Sequence, residues 1–287
     1  MQTIELRTDD GVAISASRYD PVAAPKAAVL IAGAMGVKQD YYAPFAQWLA
    51  AQGYQVLSFD YRGTGASRPA AVQHSLRGFK ADLFDWARDF DSAIEALSSA
   101  APGVPLYVVG HSLGAQLPGL LRHKDRIAGL VSVAAGSGYW RDNAPQLKRI
   151  VLYFWHVLVP VATALFGYFP GRRLGKVGDL PRGVILQWRR WCMNPRYHVG
   201  AEGPAVREAF AGARFPVMAW SMTDDELMTE RGTQVLIDWY ENAPRELQRI
   251  APGDVGAKRI GHFGFFRPQF EATLWQRLEQ GLARGLS

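Results

Sequence analysis

The sequence has little cysteine. Cys192 is the only one among 287 residues, which excludes a disulfide within the chain and any metal site built from several cysteines. Histidines and carboxylates show no metal-ligand spacing either, so we expect no metal and no cofactor. The residues after Met1 contain no basic segment followed by an apolar run. We therefore expect no signal peptide and a cytoplasmic location.

Acidic residues are fewer than basic ones: the sequence has 26 Asp and Glu and 32 Lys and Arg, which gives a net charge of +6. Such a charge suits nucleic acid, an anionic membrane or an acidic substrate. No nucleic-acid-binding motif accompanies it, so we do not expect nucleic acid as a partner. The charge is localised, because residues 139–200 carry +8 and the rest of the chain carries −2.

Apolar runs that are typical of strands alternate with helical patterns, which predicts an α/β fold with a mostly parallel, doubly wound sheet. The predicted strands are 3–7, 13–19, 27–32, 55–59, 106–109, 127–133, 217–222 and 247–251. The predicted helices lie near 42–51, 81–98, 114–122, 230–240 and 271–282. The alternation breaks after residue 138 and resumes at 214. This predicts one core, 1–138 with 214–287, and an insertion over 139–213.

A candidate nucleophile lies at the end of the strand 106–109. The sequence Gly110-His111-Ser112-Leu113-Gly114 matches the G-x-S-x-G pattern, in which a serine is held on a sharp turn between a strand and a helix. There the N–H of Leu113 is placed to donate to an oxyanion. The alternative interpretation is a glycine-rich turn that carries an idle serine.

A serine nucleophile requires a base and an acid that orients the base. Among six histidines, His262 lies in the loop between the last strand and the last helix, which reaches the carboxyl edge of the sheet. His156 lies in an apolar run, where we expect a buried structural role. Asp224 and Asp225 follow the strand 217–222 and emerge at the same edge. Both remain candidates for the acid.

These motifs, together with Asp60-Tyr61-Arg62-Gly63 and Gly65 after the fourth strand, resemble the α/β-hydrolase family over nearly the whole chain. The resemblance implies Asp225 as the acid. It also implies that Ala34, in the loop 32–36, supplies the second oxyanion amide, with Met35 as the alternative. An insertion after the sixth strand of this family usually forms a helical cap over the site.

The expected cap is aromatic and basic. Its run 150–169 is nearly all apolar and is long enough, at 20 residues, to cross a bilayer. A crossing would separate Ser112 from Asp225 and His262, so we expect no span. Two interpretations remain: the run packs over an apolar acyl pocket, or it also touches a lipid surface through its basic flanks.

The expected function is that of a serine hydrolase, which cleaves carboxylic esters with a hydrophobic acyl group through Ser112, His262 and Asp225. The small-molecule ester is the expected partner, and the oligomeric state stays open. A thioesterase or an acyltransferase would use the same residues. A ligand-binding protein without activity is a further alternative.

Overall fold

Residues 1–285 are described by the computed structural model, which contains one eight-stranded sheet. The strands lie in the order β1-β2-β4-β3-β5-β6-β7-β8. Their bounds are β1 Gln2–Arg7, β2 Ala13–Tyr19, β3 Ala27–Ala32, β4 Tyr54–Phe59, β5 Leu106–His111, β6 Ile127–Val133, β7 Val217–Met222 and β8 Arg245–Ile250. All eight predicted strands are present.

Strands β3 to β8 are parallel, whereas β1 and β2 form an antiparallel hairpin at one edge. The central strands β3, β4 and β5 are buried along their whole length. Strands covered on both faces are typically continuous apolar runs, and this is the pattern in the sequence. The mostly parallel α/β sheet is therefore confirmed.

The helices cover both faces of the sheet. Buried side chains of α1 and α10 pack on one face, and those of α2 pack on the other. The helix bounds are α1 Ala43–Ala51, α2 Leu83–Ala100, α3 Pro145–Tyr153, α4 Val159–Phe166, α5 Arg182–Met193, α6 Tyr197–Glu202, α7 Pro204–Ala211, α8 Glu230–Asp238, α9 Gly261–Gly264 and α10 Gln276–Ala283.

The helix predicted over 114–122 is wrong. The chain instead forms two 3-10 turns, Ser112–Ala115 and Pro118–Leu120. Pro118 lacks an N–H and cannot continue an α-helix. The next residue, Gly119, lies against the ring of Phe210, where a Cβ would come within 2.4 Å of Cδ1. The turn at Gly119 therefore leaves space for Phe210 of α7.

Five helices, α3 to α7, lie between β6 and β7, within the predicted insertion. A single π-helical turn, Phe154–Leu158, joins α3 to α4, so that Pro145–Phe166 is one continuous helix of 22 residues. By length and composition this helix is apolar enough to cross a membrane, although only 28% of its most apolar window is buried.

The same helix overturns one expectation. His156, expected to be buried, is exposed, because it points away from the side that packs on the protein. Val151, Trp155 and Val159 occupy the packed side. The large apolar side chains that face solvent on this helix are Ile150, Leu152, Tyr153, Val157, Val161 and Leu165.

Candidate active site

Ser112 lies on a strained turn at the end of β5. Its φ angle is +52°, which is uncommon for a residue with a side chain. Two flanking glycines make the turn possible: a Cβ on Gly110 would lie 2.6 Å from Ala115 N, and one on Gly114 would lie 2.1 Å from Ala32 O. The predicted strand–turn geometry is therefore present, although a 3-10 turn rather than an α-helix follows it.

Asp225 and His262 meet in the loops after β7 and β8. The Nδ1 atom of His262 lies 2.9 Å from Oδ2 of Asp225 and 3.2 Å from Oδ1. Both side chains are almost completely buried. Since a carboxylate only accepts, Nδ1 carries the proton, and Nε2 is left as the basic nitrogen.

Asp224, the alternative acid, has a different role. Its carboxylate accepts hydrogen bonds from the backbone N–H of Ile260 at 2.9 Å and of Gly261 at 3.0 Å. Gly261 has a φ of +64°, a conformation that glycine adopts without strain. Asp224 thus fixes the backbone just before His262, whereas Asp225 contacts the ring.

A third acid, Glu226, completes this arrangement. Its Oε2 accepts from the N–H of His262 at 3.1 Å, and Oε1 lies 3.3 Å from the guanidinium of Arg259. Burial raises the pKa of Glu226, but these hydrogen bonds outweigh it and the pKa is lowered. Three consecutive acids therefore hold one histidine loop by separate atoms. The three acids are visible in the sequence, but the sequence does not show which atom of the His262 loop each one would contact.

His111, the residue before the serine, links the two sides of the site. Its Nε2 donates to the carbonyl O of His262 at 3.0 Å, and its Nδ1 accepts from Tyr42 Oη at 2.9 Å. Burial and the neighbouring His262 lower the pKa of His111 well below its ordinary value, so the ring is neutral. Sequence reasoning missed both His111 and Tyr42, which carry no motif of their own.

The same network bears on the oxyanion site. Tyr42 Oη accepts the N–H of Ala34 at 2.8 Å, so the prediction that Ala34 supplies the second donor conflicts with the structure. Among residues 1–285, no hydrogen bond engages the N–H of Met35. Met35, the alternative named from the sequence, is therefore the better candidate in this conformation. Leu113 follows Ser112 in the first 3-10 turn, as the elbow pattern requires.

All three predicted residues lie at the carboxyl edge of the parallel strands, where open α/β sheets form their sites. Asp225 and His262 are in contact, and the ring of His111 lies 5.2 Å from that of His262, centroid to centroid. No hydrogen bond joins Ser112 to His262 among the described residues. Such bonds commonly tighten only when substrate binds.

The 139–213 segment contacts the core close to the serine turn, where Tyr197 Oη donates to Oε1 of Gln116 at 2.8 Å. Met35, Leu113, Val151 and Trp155 all belong to the large buried core that covers one face of the sheet. Residues 1–285 contain no group of three His, Cys, Asp or Glu placed to hold a metal ion.

The sheet order, the strained serine turn and the buried acid–histidine pair define an α/β hydrolase. A family model described as "Serine aminopeptidase, S33" (Hydrolase_4) matches residues 23–178. This is more than half of the chain, and the protein belongs to this α/β-hydrolase family. A "Monoglyceride lipase homolog" from monkeypox virus is 29% identical over 99 residues. That match covers 34% of this chain and 34% of the relative, so the relative is matched over about a third of its length.

Solved structures share the fold over the whole chain. A soluble variant of monoglyceride lipase from Saccharomyces cerevisiae, in complex with a substrate analogue, is 17% identical with a TM-score of 0.68, and the match covers 99% of this chain and 96% of that one. A thermostable carboxyl esterase from Bacillus coagulans, in complex with glycerol, is 13% identical with a TM-score of 0.70, and the match covers 100% and 99%. At these identities the likeness shows the α/β-hydrolase fold.

Proposed function

We propose that the protein hydrolyses carboxylic esters by a double acyl transfer. Ser112 Oγ attacks the ester carbonyl and His262 Nε2 takes its proton. The amides of Leu113 and Met35 stabilise the oxyanion, and His262 returns the proton to the departing alcohol. Water, deprotonated by His262, then attacks the acyl-enzyme and releases the acid. Asp225 holds the imidazole in the required tautomer throughout.

The observation that supports this proposal most strongly is the 2.9 Å contact between Asp225 and His262. It is buried at the same sheet edge as a serine whose φ is +52°. A turn without function has no reason to hold a serine in a strained conformation at the same sheet edge as an imidazole that a buried carboxylate orients. Monoglycerides and simple carboxyl esters, which the similar proteins are named for, are the first substrates to test.

A fluorophosphonate probe tests the nucleophile. We expect labelling of the wild type and none of Ser112→Ala, with Ser92→Ala, a helix-surface serine, labelled as the wild type is. Unlabelled wild-type protein, or labelling that persists in Ser112→Ala, would contradict the proposal. Peptide p-nitroanilides belong in the same assay, because the family description names an aminopeptidase; faster cleavage of these than of esters would indicate an amidase.

We further propose that residues 139–213 form a cap that selects a hydrophobic acyl group. Support comes from two contacts of this segment near the site: Tyr197 Oη donates to Gln116 at 2.8 Å, and Gly178 lies so close to Gly36 that a Cβ on Gly36 would be 2.7 Å from Gly178 N. Turnover of p-nitrophenyl esters from acetate to palmitate, alongside one acyl-CoA, measures the preference. We expect a rise from acetate towards longer chains, which Trp155→Ala shifts. Faster turnover of the acyl-CoA would favour a thioesterase, and acyl transfer to an added alcohol would favour an acyltransferase.

The continuous helix Pro145–Phe166 supports a peripheral contact with membranes. Its outer face carries the six exposed apolar side chains named above, while Trp155 and Val159 hold its inner face against the protein. The guanidinium of Arg77 also donates to the carbonyl O of Leu165 at 2.6 Å. A helix held along one side lies on a bilayer rather than across it.

Sedimentation with vesicles of phosphatidylcholine and phosphatidylglycerol tests this contact. We expect the wild type to bind and a variant with Val157→Ser, Val161→Ser and Leu165→Ser to bind at least fivefold more weakly. Val22→Ser is the matched control, since Val22 is fully exposed at a distant loop. Equal binding of all three proteins would contradict the contact.

A further inference from the structure

A small cleft of about 160 Å³ is lined in part by Gly36, the residue that follows Met35 in the loop after β3. Its walls come from the loop after β3, the loop after β4 and the residues 172–179 that follow α4. Gly36, of the oxyanion loop, contacts Gly178 so closely that a Cβ on Gly36 would lie 2.7 Å from Gly178 N. The cleft therefore borders the loop that carries the Met35 amide.

The charged side chains that line this cleft are three cations and one acid: Lys38, Arg68, Arg172 and Asp179. Asp179 accepts from Nη1 of Arg68 at 3.0 Å and from Nε and Nη2 of Arg172 at 3.2 and 3.0 Å. Burial raises the pKa of Asp179, but these bonds outweigh it and the pKa is lowered. The acid stays ionised, and the four groups leave a net positive charge.

Several hydrogen-bond donors on the residues that line this cleft have no partner. Arg68 is 6% exposed, and its Nη2 is buried without a partner. Among residues 1–285, no hydrogen bond engages the backbone N–H of Gly36, Gly65 or Gly178, and Lys38 has no ion pair. Asp179, the one acidic acceptor, is already occupied by both arginines.

We propose that this cleft binds an anionic group, a phosphate or a carboxylate, at the polar end of an ester substrate. Clustered N–H groups with nearby cations are a recurrent anion site in proteins. At about 30 Å³ per water molecule, the cleft holds about five waters, which fits one phosphate but not an acyl chain. This inference rests on the proposed function, since it assigns the substrate of that site.

If the cleft binds an anion, the enzyme should prefer the ester that carries an anionic group over a neutral ester with the same acyl chain. The matched pair is 1-oleoylglycerol and 1-oleoylglycerol 3-phosphate, which differ by one phosphate on the alcohol. We expect the wild type to have a higher kcat/KM for the phosphate. Lys38→Gln removes a charge without touching the ion pairs of Asp179, and we expect it to lower the ratio of the two kcat/KM values five- to tenfold.

Lys80→Gln is the control, because Lys80 is an exposed lysine outside the cleft. It should leave the ratio and the kcat/KM of both esters unchanged. Salt should reduce the preference for the phosphate, because exposed charges are screened. An unchanged ratio in Lys38→Gln would overturn the inference, while hydrolysis of the neutral ester would leave the proposed function standing.

A binding measurement separates failure of the site from failure of the function. Calorimetry with glycerol 3-phosphate should show binding to wild type and Lys80→Gln that is at least fivefold weaker in Lys38→Gln. This result would keep the anion site even if neither ester were cleaved. If Lys38→Gln weakened binding only to vesicles that contain phosphatidic acid, and not to glycerol 3-phosphate, the site would recognise a membrane headgroup and the substrate assignment would be wrong.

Discussion

The sheet edge and the 139–213 segment each bury one histidine completely, and the two rings have opposite surroundings. His111, at the edge, uses both ring nitrogens in hydrogen bonds. His198, in α6, uses neither. Its ring instead lies 4.5 Å from that of Phe210 and 4.4 Å from that of Trp239. Burial also lowers the pKa of His198, to about 3.

This difference extends beyond the two histidines. At the sheet edge, buried polar atoms meet in fixed pairs, so atomic positions are specified by hydrogen bonds. Around His198 in the segment, aromatic rings pack against a ring that makes no hydrogen bond, and this packing specifies volume and apolarity instead. The proposed alignment of a nucleophile at the edge requires the first kind of order. The proposed cover over an acyl chain requires only the second.

The largest expected effect comes from the two neighbouring acids at the edge. Asp225→Asn should lower kcat by about 10³–10⁴, because the amide no longer enforces the tautomer of His262. Its effect on the melting temperature should be small. Asp224→Asn should lower kcat only about tenfold and should cost about 1–3 kcal/mol of stability, since it weakens two buried hydrogen bonds. Reversed ranks for kcat would assign the acid to Asp224.

A second test removes the polar network around His111. In His111→Phe, the hydroxyl of Tyr42 and the carbonyl of His262 each lose a partner. We expect a loss of about 2–4 kcal/mol in the free energy of unfolding, measured by urea denaturation. kcat should also fall about tenfold because the His262 loop is less well positioned. His74→Phe, at an exposed loop position, is the control. Wild-type stability in His111→Phe would show that the network is dispensable.

The sequence predicts the features of the fold and site that depend on local order, and it misses those that depend on contacts between distant residues. Strand positions and the serine turn could be predicted because long apolar runs and glycines act locally. The hydrogen-bond partners could not, since Tyr42 and His111 are 69 residues apart in the chain. The failed helix after Ser112 has a local cause in Pro118, which cannot continue an α-helix. The exposure of His156 depends instead on how the 139–213 segment packs, and local periodicity carries no information on that.

The third test uses the pH dependence of stability. The folded protein binds a proton on His198 only near pH 3, whereas an ordinary histidine does so near 6.5. Between these values the unfolded chain holds the extra proton, so stability falls as the pH falls, by up to about 1.4 kcal/mol per pH unit. His198→Phe should remove this contribution between pH 6.5 and 5. A residual slope from His111 should remain, because its pKa is lowered too. An unchanged slope would contradict the assignment.

The smallest expected effect is on stability, and it distinguishes the buried side of the helix Pro145–Phe166 from its exposed side. Val159 is fully buried and Val161 is 51% exposed, so the same substitution two residues apart compares packing with exposure. Val159→Ala should lose about 1–3 kcal/mol, from two buried methyl groups and the cavity that they leave. Val161→Ala should change stability by less than about 0.5 kcal/mol in solution. A larger loss at Val161 would mean that another surface covers this face in the free protein, for instance a second copy of the chain. The outer face would then be an interface between proteins, and its apolar character would no longer support contact with lipid.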